Sequence, residues 1–334
     1  MSAYHAVLIP GDGIGPEVTA AAQRVIAAAG VEIDWQVIPA GTSALDAGKD
    51  PLPSELLQEV RNTGLALKGP LTTPVGGGFT SVNVRLRREL DLFANLRPVR
   101  SLPGVEGRWP EVDLVIVREN TEGLYIGEET WEDPDTVSAV KRVSRKGSRR
   151  IARFAFQYAR EHGRKSITAV HKANILKASD GLFLDSAREA AADYPEIVFQ
   201  DRIVDALCLD LALDPGRHDT LLCPNLYGDI VSDLAAGLVG GLGLVPGANL
   251  GEDCAVFEGV HGSAPDIAGR GTANPTALIL AGALLLRHLN EGNAADRVEK
   301  ALNLVLQEGD HLTPDLGGRS TTAAFTGALI SHLR

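Results

Sequence analysis

Short apolar runs of strand-forming residues alternate along the chain with longer segments whose apolar residues recur at helical spacing. The runs predict strands at residues 6–9, 31–38, 65–68, 113–117, 166–170, 198–204, 220–223 and 255–257. The helical spacing predicts helices near residues 16–29, 53–62, 83–91, 147–162, 179–193, 228–239, 275–290, 294–308 and 319–333. This alternation is typical of an α/β fold with a largely parallel sheet. Residues 128–147 are polar, end in a basic cluster and predict an arm or hairpin outside the core.

Composition narrows the class of protein. The 334 residues are 44% hydrophobic and carry a net charge of −11, which excludes general disorder and argues against nucleic acid as the main partner. The length suggests two domains or one large α/β unit. The longest stretch without charge, residues 234–250, contains five glycines and Pro246 and is too broken to span a membrane, so no membrane partner is expected.

The cysteines and the N-terminus indicate the compartment. Cys208, Cys223 and Cys254 are too few and too scattered for a disulfide framework or a zinc site, which favours small buried side chains in a reducing compartment. No basic segment precedes the first predicted strand, so we expect no secretory signal and a cytoplasmic location.

A glycine-rich turn follows the first strand. Gly11-Asp-Gly13-Ile-Gly15 invites a dinucleotide-binding interpretation, and Asp34 lies where a ribose-binding acid would be expected. The spacing lacks the usual third glycine, however, and Pro16 occupies its place. A tight turn that begins a helix is therefore the favoured interpretation.

Several residues could carry chemistry. Arg87, Arg97 and Arg118 lie near predicted element ends and could form a positive pocket for a small polyanion, although each alone could be a surface ion pair. Asp229 and Asp233 are four residues apart, so on a helix they share one face. A hard divalent cation between them and a helix-start acid pair explain this spacing equally well.

Two further segments follow predicted strands. Lys172 and Asn174 come directly after one strand, where a partly desolvated lysine could transfer protons, although an ordinary surface lysine fits the same pattern. The polar loop that begins at Glu258 could bind a nucleotide through backbone donors, and Asp266 in it could accept two ribose hydroxyls.

Taken together, these motifs resemble the isocitrate/isopropylmalate dehydrogenase family of β-decarboxylating dehydrogenases. The resemblance runs over essentially the whole chain, through segments 9–17, 68–74, 86–92, 118–125, 171–174, 225–233, 261–274 and 313–318. It implies a discontinuous large domain (1–92 and 240–334) that binds the cofactor. It also implies a small domain (93–239) that binds substrate and dimerises through an arm near 124–147.

The resemblance also implies roles for individual residues. Substrate carboxylates would be bound by Thr73, Ser81, Asn83, Arg87, Arg97, Arg118 and Asn174. Catalysis would use Tyr125, Lys172 and Asp205, with Mg²⁺ or Mn²⁺ held by Asp205, Asp229 and Asp233. Lys172 and Asp205 would come from the partner subunit, so the enzyme would be a homodimer or a higher oligomer. The cofactor would contact Glu258, His261, Gly262, Ser263, Ala264, Asp266, Ile267, Asn274 and Asp315.

Substrate and cofactor follow from two local features of the resemblance. Ser81 and Asn83 match the isocitrate enzymes, whereas Arg85 is an unexpected cation that leaves a longer acid, or dual specificity, open. NADP-dependent relatives carry lysine and tyrosine where this chain has Asp266 and Ile267, and an acid there repels a 2′-phosphate, so NAD is expected. The expected reaction is NAD-dependent oxidative decarboxylation of isocitrate. Homoisocitrate or 3-isopropylmalate oxidation, and a non-catalytic regulatory subunit, remain alternatives.

Overall fold

A computed structural model of the protein describes residues 4–73 and 80–333. Its strands are β1 (Tyr4–Ile9), β2 (Ile33–Val37), β3 (Leu65–Lys68), β4 (Ala94–Arg100), β5 (Asp113–Glu119), β6 (Glu129–Asp133), β7 (Thr136–Ala139), β8 (Ser166–His171), β9 (Val198–Ile203), β10 (Thr220–Cys223), β11 (Pro246–Leu250) and β12 (Ala255–Gly259). Its α-helices are α1 (Gly15–Ala28), α2 (Thr42–Asp46), α3 (Ser54–Thr63), α4 (Val82–Glu89), α5 (Arg145–Glu161), α6 (Ser179–Ala191), α7 (Val204–Leu213), α8 (Asn225–Leu238), α9 (Thr276–His288), α10 (Gly292–Glu308) and α11 (Thr322–His332). Single 3₁₀ turns cover Leu124–Ile126, Pro215–Arg217, Leu242–Leu244 and Pro314–Leu316. The predicted α/β fold is confirmed.

The described residues form two compact units. The first unit comprises the described parts of Met1–Leu92, Ser101–Pro110 and Val239–Arg334, and the second comprises Phe93–Arg100 and Glu111–Leu238. The sequence assigned residues 101–110 and Val239 to the small domain, whereas both belong to the first compact unit. Leu102 and Val105 pack against the apolar cluster that includes Leu306 of α10, and this packing explains why residues 101–110 belong to the first unit.

The first unit is built on five strands in the order β2-β1-β3-β12-β11. The first four are parallel, and β11 runs antiparallel to β12. One apolar cluster lies where β1 and β3 meet α3 and α4, and another joins α1, α9, α10 and α11. Strand β3 is buried along its whole length, as expected for a parallel strand covered on both faces.

The second unit is also built on five strands, in the order β4-β5-β10-β8-β9. Strand β4 is antiparallel to β5, and the remaining pairs are parallel. Ser144 caps the N-terminus of helix α5, because its Oγ accepts a hydrogen bond from Gly147 N at 2.9 Å. The helix buries one apolar face that includes Ile151 and Phe156. Strands β6 and β7 form a separate antiparallel hairpin whose residues are all exposed.

The sequence pattern did not reveal every element. Strands β4 and β11 were not predicted, and both are antiparallel strands that contain a proline, Pro98 and Pro246. The strand expected to reach Val204 ends at Ile203, because α7 begins at Val204. Across the described ranges, none of the helices combines the length and apolar character needed to cross a membrane.

Candidate active site

Three polar residues of the second unit lie at the carboxyl ends of its parallel strands. Arg118 is near the end of β5, Lys172 follows β8, and Asn225 begins α8 just after β10. Strand β10 pairs with both β5 and β8. These three residues therefore lie along one edge of the sheet, where α/β proteins usually place their ligands.

Arg118 is a buried cation, with only 1% of the residue exposed. Its Nε and Nη2 donate to Asn225 Oδ1 at 3.1 and 2.7 Å, and its Nη1 donates to Asp229 Oδ1. Gly228 makes this approach possible, because a Cβ there would lie 2.6 Å from Arg118 Cγ. Helix α8 thus supplies both the partners of the arginine and the space that it occupies.

Arg97 lies between the two predicted metal-binding aspartates. Its Nη1 donates to Ser232 Oγ at 2.5 Å and lies 3.4 Å from Asp229 Oδ1 and 3.6 Å from Asp233 Oδ1. Burial raises the pKa of Asp233 against the lowering effect of Arg97, and the charge of Asp229 adds to the rise. The side chains of Asp229 and Asp233 are 34% and 54% exposed, so solvent or a ligand can reach both.

Tyr125 lies in the 3₁₀ turn after β5. Its Oη donates to Asp229 Oδ2, and the Arg118 guanidinium carbon is 5.0 Å from the centre of its ring. Gly123 before it has a φ of +83°, which permits the tight turn. The structure therefore brings five predicted residues together: Arg97, Arg118, Tyr125, Asp229 and Asp233.

Lys172 and Asp205 form a separate pair in the second unit. Lys172 Nζ donates to Asp205 Oδ1, and this bond is the main reason that the pKa of Asp205 is lowered. The Asp205 side chain is 67% exposed. Asn174 is also exposed, on the turn that follows Lys172. Before this turn, the buried His171 donates from Nε2 to Asp201 at 3.1 Å, since its Nδ1 accepts from Ala173 N.

Arg87 lies in the first unit, within a buried ion cluster. Its Nη2 is 3.2 Å from Glu258 Oε1, and Lys68 Nζ is 2.7 Å from Glu258 Oε2. Asn249 Nδ2 donates to Glu258 Oε1 at 2.7 Å. Burial opposes ionisation of Glu258, but the two cations outweigh it and hold the pKa of Glu258 far below its ordinary value. We call Lys68, Arg87, Asn249 and Glu258 the ion cluster.

The predicted substrate-specificity residues lie at the start of α4. Thr73 Oγ1 donates to Ser81 Oγ at 3.1 Å. Asn83 Oδ1 is buried and accepts no hydrogen bond from the residues that the structure describes. Pro74, which follows Thr73 in the motif at residues 68–74, lies outside the described residues. Arg85 Nη1 donates to Asp50 Oδ1 at 2.8 Å, which helps to lower the pKa of Asp50 after the larger effect of the Leu52 amide.

The predicted cofactor loop begins directly after β12. Ser263 anchors it, since its carbonyl accepts from Ile14 N at 2.9 Å and its Oγ lies 2.8 Å from Thr72 Oγ1. Ala264 adopts a left-handed φ of +38°. Gly262 and Asp266 are exposed, and Ile267 is half-buried. Burial lowers the pKa of His261. The loop thus presents a turn with exposed backbone and one exposed carboxylate.

The far end of this loop is tied to the segment after α10. Asn274 Nδ2 donates to Asp315 Oδ2 at 2.9 Å, and Thr313 Oγ1 donates to Asp315 Oδ1 at 2.6 Å. Asp315 therefore holds the two predicted cofactor segments together.

In the glycine-rich turn after β1, the Asp12 carboxylate accepts hydrogen bonds from two other segments. Asp12 Oδ1 accepts from Thr42 N at 3.0 Å, and Oδ2 accepts from Thr72 N at 2.8 Å. A Cβ on Gly13 would lie 2.0 Å from the Ser263 carbonyl oxygen. The glycine therefore permits contact between this turn and the cofactor loop, which favours the structural interpretation over a phosphate-binding one.

The sequence missed the side chains that hold the predicted residues in place. Asn225 and Ser232 hold the two arginines, Lys68 and Asn249 complete the ion cluster, and Asp180 binds the Lys172 segment. Asn225 and Lys68 did stand in the motifs, but their neutral or cationic side chains carried no signal of their own. Asp180 resembled an ordinary first-turn acid of a helix.

No group of three or more acidic, histidine or cysteine side chains that could hold a metal ion occurs among the residues that the structure describes. Asp229 and Asp233 offer accessible carboxylate oxygens on one helix face, which suits a hard divalent cation.

Comparison with known proteins shows the family to which the chain belongs. The profile of the isocitrate/isopropylmalate dehydrogenase family matches residues 5–330. NAD-dependent isocitrate dehydrogenase catalytic subunit 5 of Arabidopsis thaliana, a mitochondrial protein, is 49% identical over 98% of this chain and 88% of its own length. A mitochondrial regulatory subunit of NAD-dependent isocitrate dehydrogenase from Dictyostelium discoideum is 46% identical over 98% of this chain and 91% of its own length.

A solved structure matches as well. The crystal structure of isocitrate dehydrogenase from Methylococcus capsulatus is 51% identical, covers 99% of both chains and superposes with a TM-score of 0.97. These matches confirm the resemblance predicted from the sequence and the corresponding fold. They contradict the expected cytoplasmic location, because both curated relatives are mitochondrial proteins.

Proposed function

Because the chain belongs to the isocitrate/isopropylmalate dehydrogenase family, we propose that it catalyses the oxidative decarboxylation of isocitrate with NAD and Mg²⁺ or Mn²⁺. The observation that carries the proposal is the cluster around α8, in which Arg97, Arg118 and Tyr125 surround the accessible carboxylate of Asp229. This edge of the sheet thus carries cations for a polyanion, a phenol for proton transfer and oxygen ligands for a metal.

The arginines bind the carboxylates of the substrate. Arg97 and Arg118 are held by neutral partners, Asn95 and Asn225, so they are oriented before a ligand arrives. We assign Asn174 and Thr73 to the same task. We keep Arg87 in this set, although its guanidinium is already engaged by Glu258. Ser81 and Asn83 contact the carboxylate that distinguishes isocitrate, which suits the hydroxyl and amide groups at the start of α4.

Asp229, Asp233 and Asp205 of the partner subunit hold the metal ion. When bound, Mg²⁺ or Mn²⁺ would polarise the substrate hydroxyl and α-carboxylate, and NAD would accept the hydride. Without the ion, Arg97 supplies the positive charge between Asp229 and Asp233.

Two groups of the protein handle protons. Lys172 of the partner subunit, with the partner's Asp205, takes the proton of the substrate hydroxyl through Nζ. Tyr125 Oη gives its proton to the substrate carbon after CO₂ has left. The hydrogen bond from Tyr125 to Asp229 fixes the direction of the phenol group beforehand.

NAD binds to the loop that follows β12. His261, Gly262, Ser263, Ala264, Ile267 and Asn274 form its contact surface, with Asp315 behind Asn274. We keep Glu258 in this set, although its carboxylate is already enclosed by Lys68 and Arg87. Asp266 is exposed and accepts the ribose hydroxyls of NAD, while its charge disfavours the phosphate of NADP.

A homodimer with shared active sites accounts for the exposed apolar surface of the second unit. Trp131 of the hairpin is 69% exposed, Leu209 and Leu213 of α7 are 58% and 61% exposed, and Ile230 of α8 is 53% exposed. We infer that these side chains lie in a dimer interface, since exposed apolar patches mark interaction sites. Asp205 lies at the start of α7, so the Asp205 carboxylate would lie at an interface that a partner forms with this surface.

A substrate panel tests the proposed reaction. NADH formation is measured with isocitrate, homoisocitrate and 3-isopropylmalate, with NAD or NADP, and with Mg²⁺, Mn²⁺ or EDTA. We expect metal-dependent turnover with the highest kcat/KM for isocitrate and NAD, because discrimination appears in that ratio. A higher value for another acid would reassign the substrate, and no turnover with any acid would refute the enzyme.

Mixed dimers test the sharing of the site. Lys172→Ala and Asp229→Asn are each expected to be inactive alone. When they are co-expressed, a heterodimer with shared sites contains one complete set, so part of the activity returns. If each protomer used its own Lys172, the mixture would stay inactive.

A non-catalytic regulatory subunit is the second candidate, and the name of the Dictyostelium relative favours it. Against it stands the complete set of Tyr125, Lys172, Asp205, Asp229 and Asp233. Turnover by the purified chain alone decides between the two.

A further inference from the structure

Asp180 is a buried carboxylate in the first turn of α6, with none of its surface exposed. Its Oδ2 accepts from the backbone N–H of Lys172 at 2.8 Å and from Tyr227 Oη at 3.0 Å. Its Oδ1 accepts from Lys141 Nζ. A charge in such a place is costly unless it is well paired, and here three separate segments supply the donors.

Each donor belongs to, or contacts, a segment that carries an expected catalytic or metal-binding group. The first is the amide of Lys172 itself. The second, Tyr227, lies on α8 two residues before Asp229. The third, Lys141, lies at the base of the arm beside Arg142, whose carbonyl accepts from Gly123 N at 2.8 Å.

The contact at Gly123 connects the base of the arm to the catalytic turn. Gly123 lies two residues before Tyr125 and forms an isolated antiparallel bridge with Arg142. Displacement of Lys141 would therefore be transmitted to the turn that orients the Tyr125 phenol.

Two of the three donors, Lys141 and Tyr227, also contact each other. Lys141 Nζ lies 4.9 Å from the centre of the Tyr227 ring, and the Lys141 side chain is only 17% exposed. Burial, followed by the charge of Asp180, raises the pKa of Tyr227, so its phenol stays a neutral donor at any working pH. The cluster has one anion, one cation and a neutral hydroxyl, and is balanced without outside groups.

We propose that Asp180 is a positioning residue, which holds the Lys172 turn, the Asp229 helix and the base of the arm in one fixed arrangement. The inference rests on the proposed function, because it assumes that these segments carry catalytic groups. Asp180 itself is enclosed and does not contact the substrate. Its effect reaches the reaction through the three segments that it joins.

Asp180→Asn in the full-length protein is the main test, since asparagine keeps the shape and removes the charge. We expect kcat for isocitrate to fall roughly 10- to 100-fold, as is usual when a partner of a catalytic group is lost. KM should change by less than about threefold, because Arg97 and Arg118 keep their own partners. Asp185→Asn on the exposed face of the same helix is the matched control and should keep the wild-type kcat.

Hydrogen exchange supplies a readout that does not depend on turnover. The Lys172 amide should exchange faster in Asp180→Asn than in the wild type, and the Gly123 amide should do so in Lys141→Gln. If the wild type does not oxidise isocitrate, the proposed function fails, but the exchange rates still test the arrangement. A wild-type kcat together with unchanged exchange in Asp180→Asn would overturn the inference.

Tyr227→Phe covers the case in which Asp180→Asn does not fold. It removes the hydrogen bonds that the Tyr227 hydroxyl makes with Asp180 and Lys141 and leaves the ion pair, so we expect kcat to fall roughly two- to tenfold with KM preserved. Loss of thermal stability with an unchanged kcat per folded molecule, in this variant and in Lys141→Gln, would show a purely structural role and overturn the inference.

Discussion

The buried arginines of the two units face carboxylates that differ in their exposure to solvent. In the ion cluster of the first unit, Arg87 faces Glu258, whose side chain is only 8% exposed and which Lys68 also neutralises. In the second unit, Arg97 and Arg118 face Asp229, whose side chain is 34% exposed. The first arrangement is closed, whereas the second keeps a carboxylate within reach of solvent. Closed charges fix geometry, and accessible ones can exchange partners with a metal ion and a substrate.

The largest effect on activity is expected from the open arrangement. Tyr125→Phe removes the proton donor that is bound to Asp229, so kcat for isocitrate should fall roughly 10²- to 10⁴-fold. Stability should fall by no more than about 1.5 kcal/mol, the value of one hydrogen bond. Steady-state kinetics and thermal unfolding measure the two quantities.

Tyr194→Phe is the matched control, because the Tyr194 ring packs against Phe156 in the same unit, 5.3 Å between ring centres. It should keep full activity. A Tyr125→Phe variant as active as this control would remove Tyr125 from the mechanism.

The largest effect on stability is expected from the closed arrangement. Glu258→Gln leaves Lys68 and Arg87 buried without their anion, which should destabilise the protein by about 3–5 kcal/mol. Asp233→Asn should change stability by less than about 1 kcal/mol, because its raised pKa means that its surroundings disfavour the charge.

Urea unfolding of both variants without added metal measures this difference. Equal destabilisation by the two substitutions would show that the units do not differ in this respect. Asp233→Asn should instead require more Mg²⁺ or Mn²⁺ for half-maximal activity.

The ion cluster also predicts a dependence of stability on pH. The folded pKa of Glu258 lies far below its ordinary value of 4.5. The stabilisation is therefore complete above about pH 4.5, where the unfolded chain is ionised as well, and is lost as the pH falls towards the folded pKa. The free energy of unfolding should drop more steeply below pH 4.5 in the wild type than in Glu258→Gln. Parallel pH profiles would contradict this origin of acid sensitivity.

The same comparison explains what the sequence could reveal. The parallel strands were predictable because each is a short apolar run, as at residues 65–68 and 220–223. Strands β4 and β11 were not, because Pro98, Arg97 and Gly247 interrupt the apolar pattern. Arginine in a strand is unfavourable in the sequence pattern. Arg97 is buried here because Asn95, Ser232 and the two aspartates of α8 are its partners.

The candidate site was partly predictable for a related reason. Asp229 and Asp233 were recognised from helical spacing, which places them on one helix face. The position of Arg97 between them depends on the packing of β4 and had no local sequence signal. The partners of Glu258 were not, since Lys68, Asn249 and Glu258 meet only when β3, β11 and β12 pair. Long-range pairing of this kind has no local sequence signal, which is also why the role of Asp180 was missed.

The smallest effect is expected at Arg85, a half-buried cation two residues before Arg87 in α4. Its side chain is 36% exposed and pairs with Asp50, which is 54% exposed, so Arg85→Ala should cost less than about 1 kcal/mol. It should leave kcat/KM for isocitrate nearly unchanged, because the guanidinium is engaged by Asp50. If Arg85 instead bound the substrate, its removal would lower kcat/KM roughly tenfold or more. Asp50→Ala releases the cation and should raise kcat/KM for homoisocitrate relative to isocitrate. The ratio of the two values in both variants decides whether Asp50 restrains Arg85.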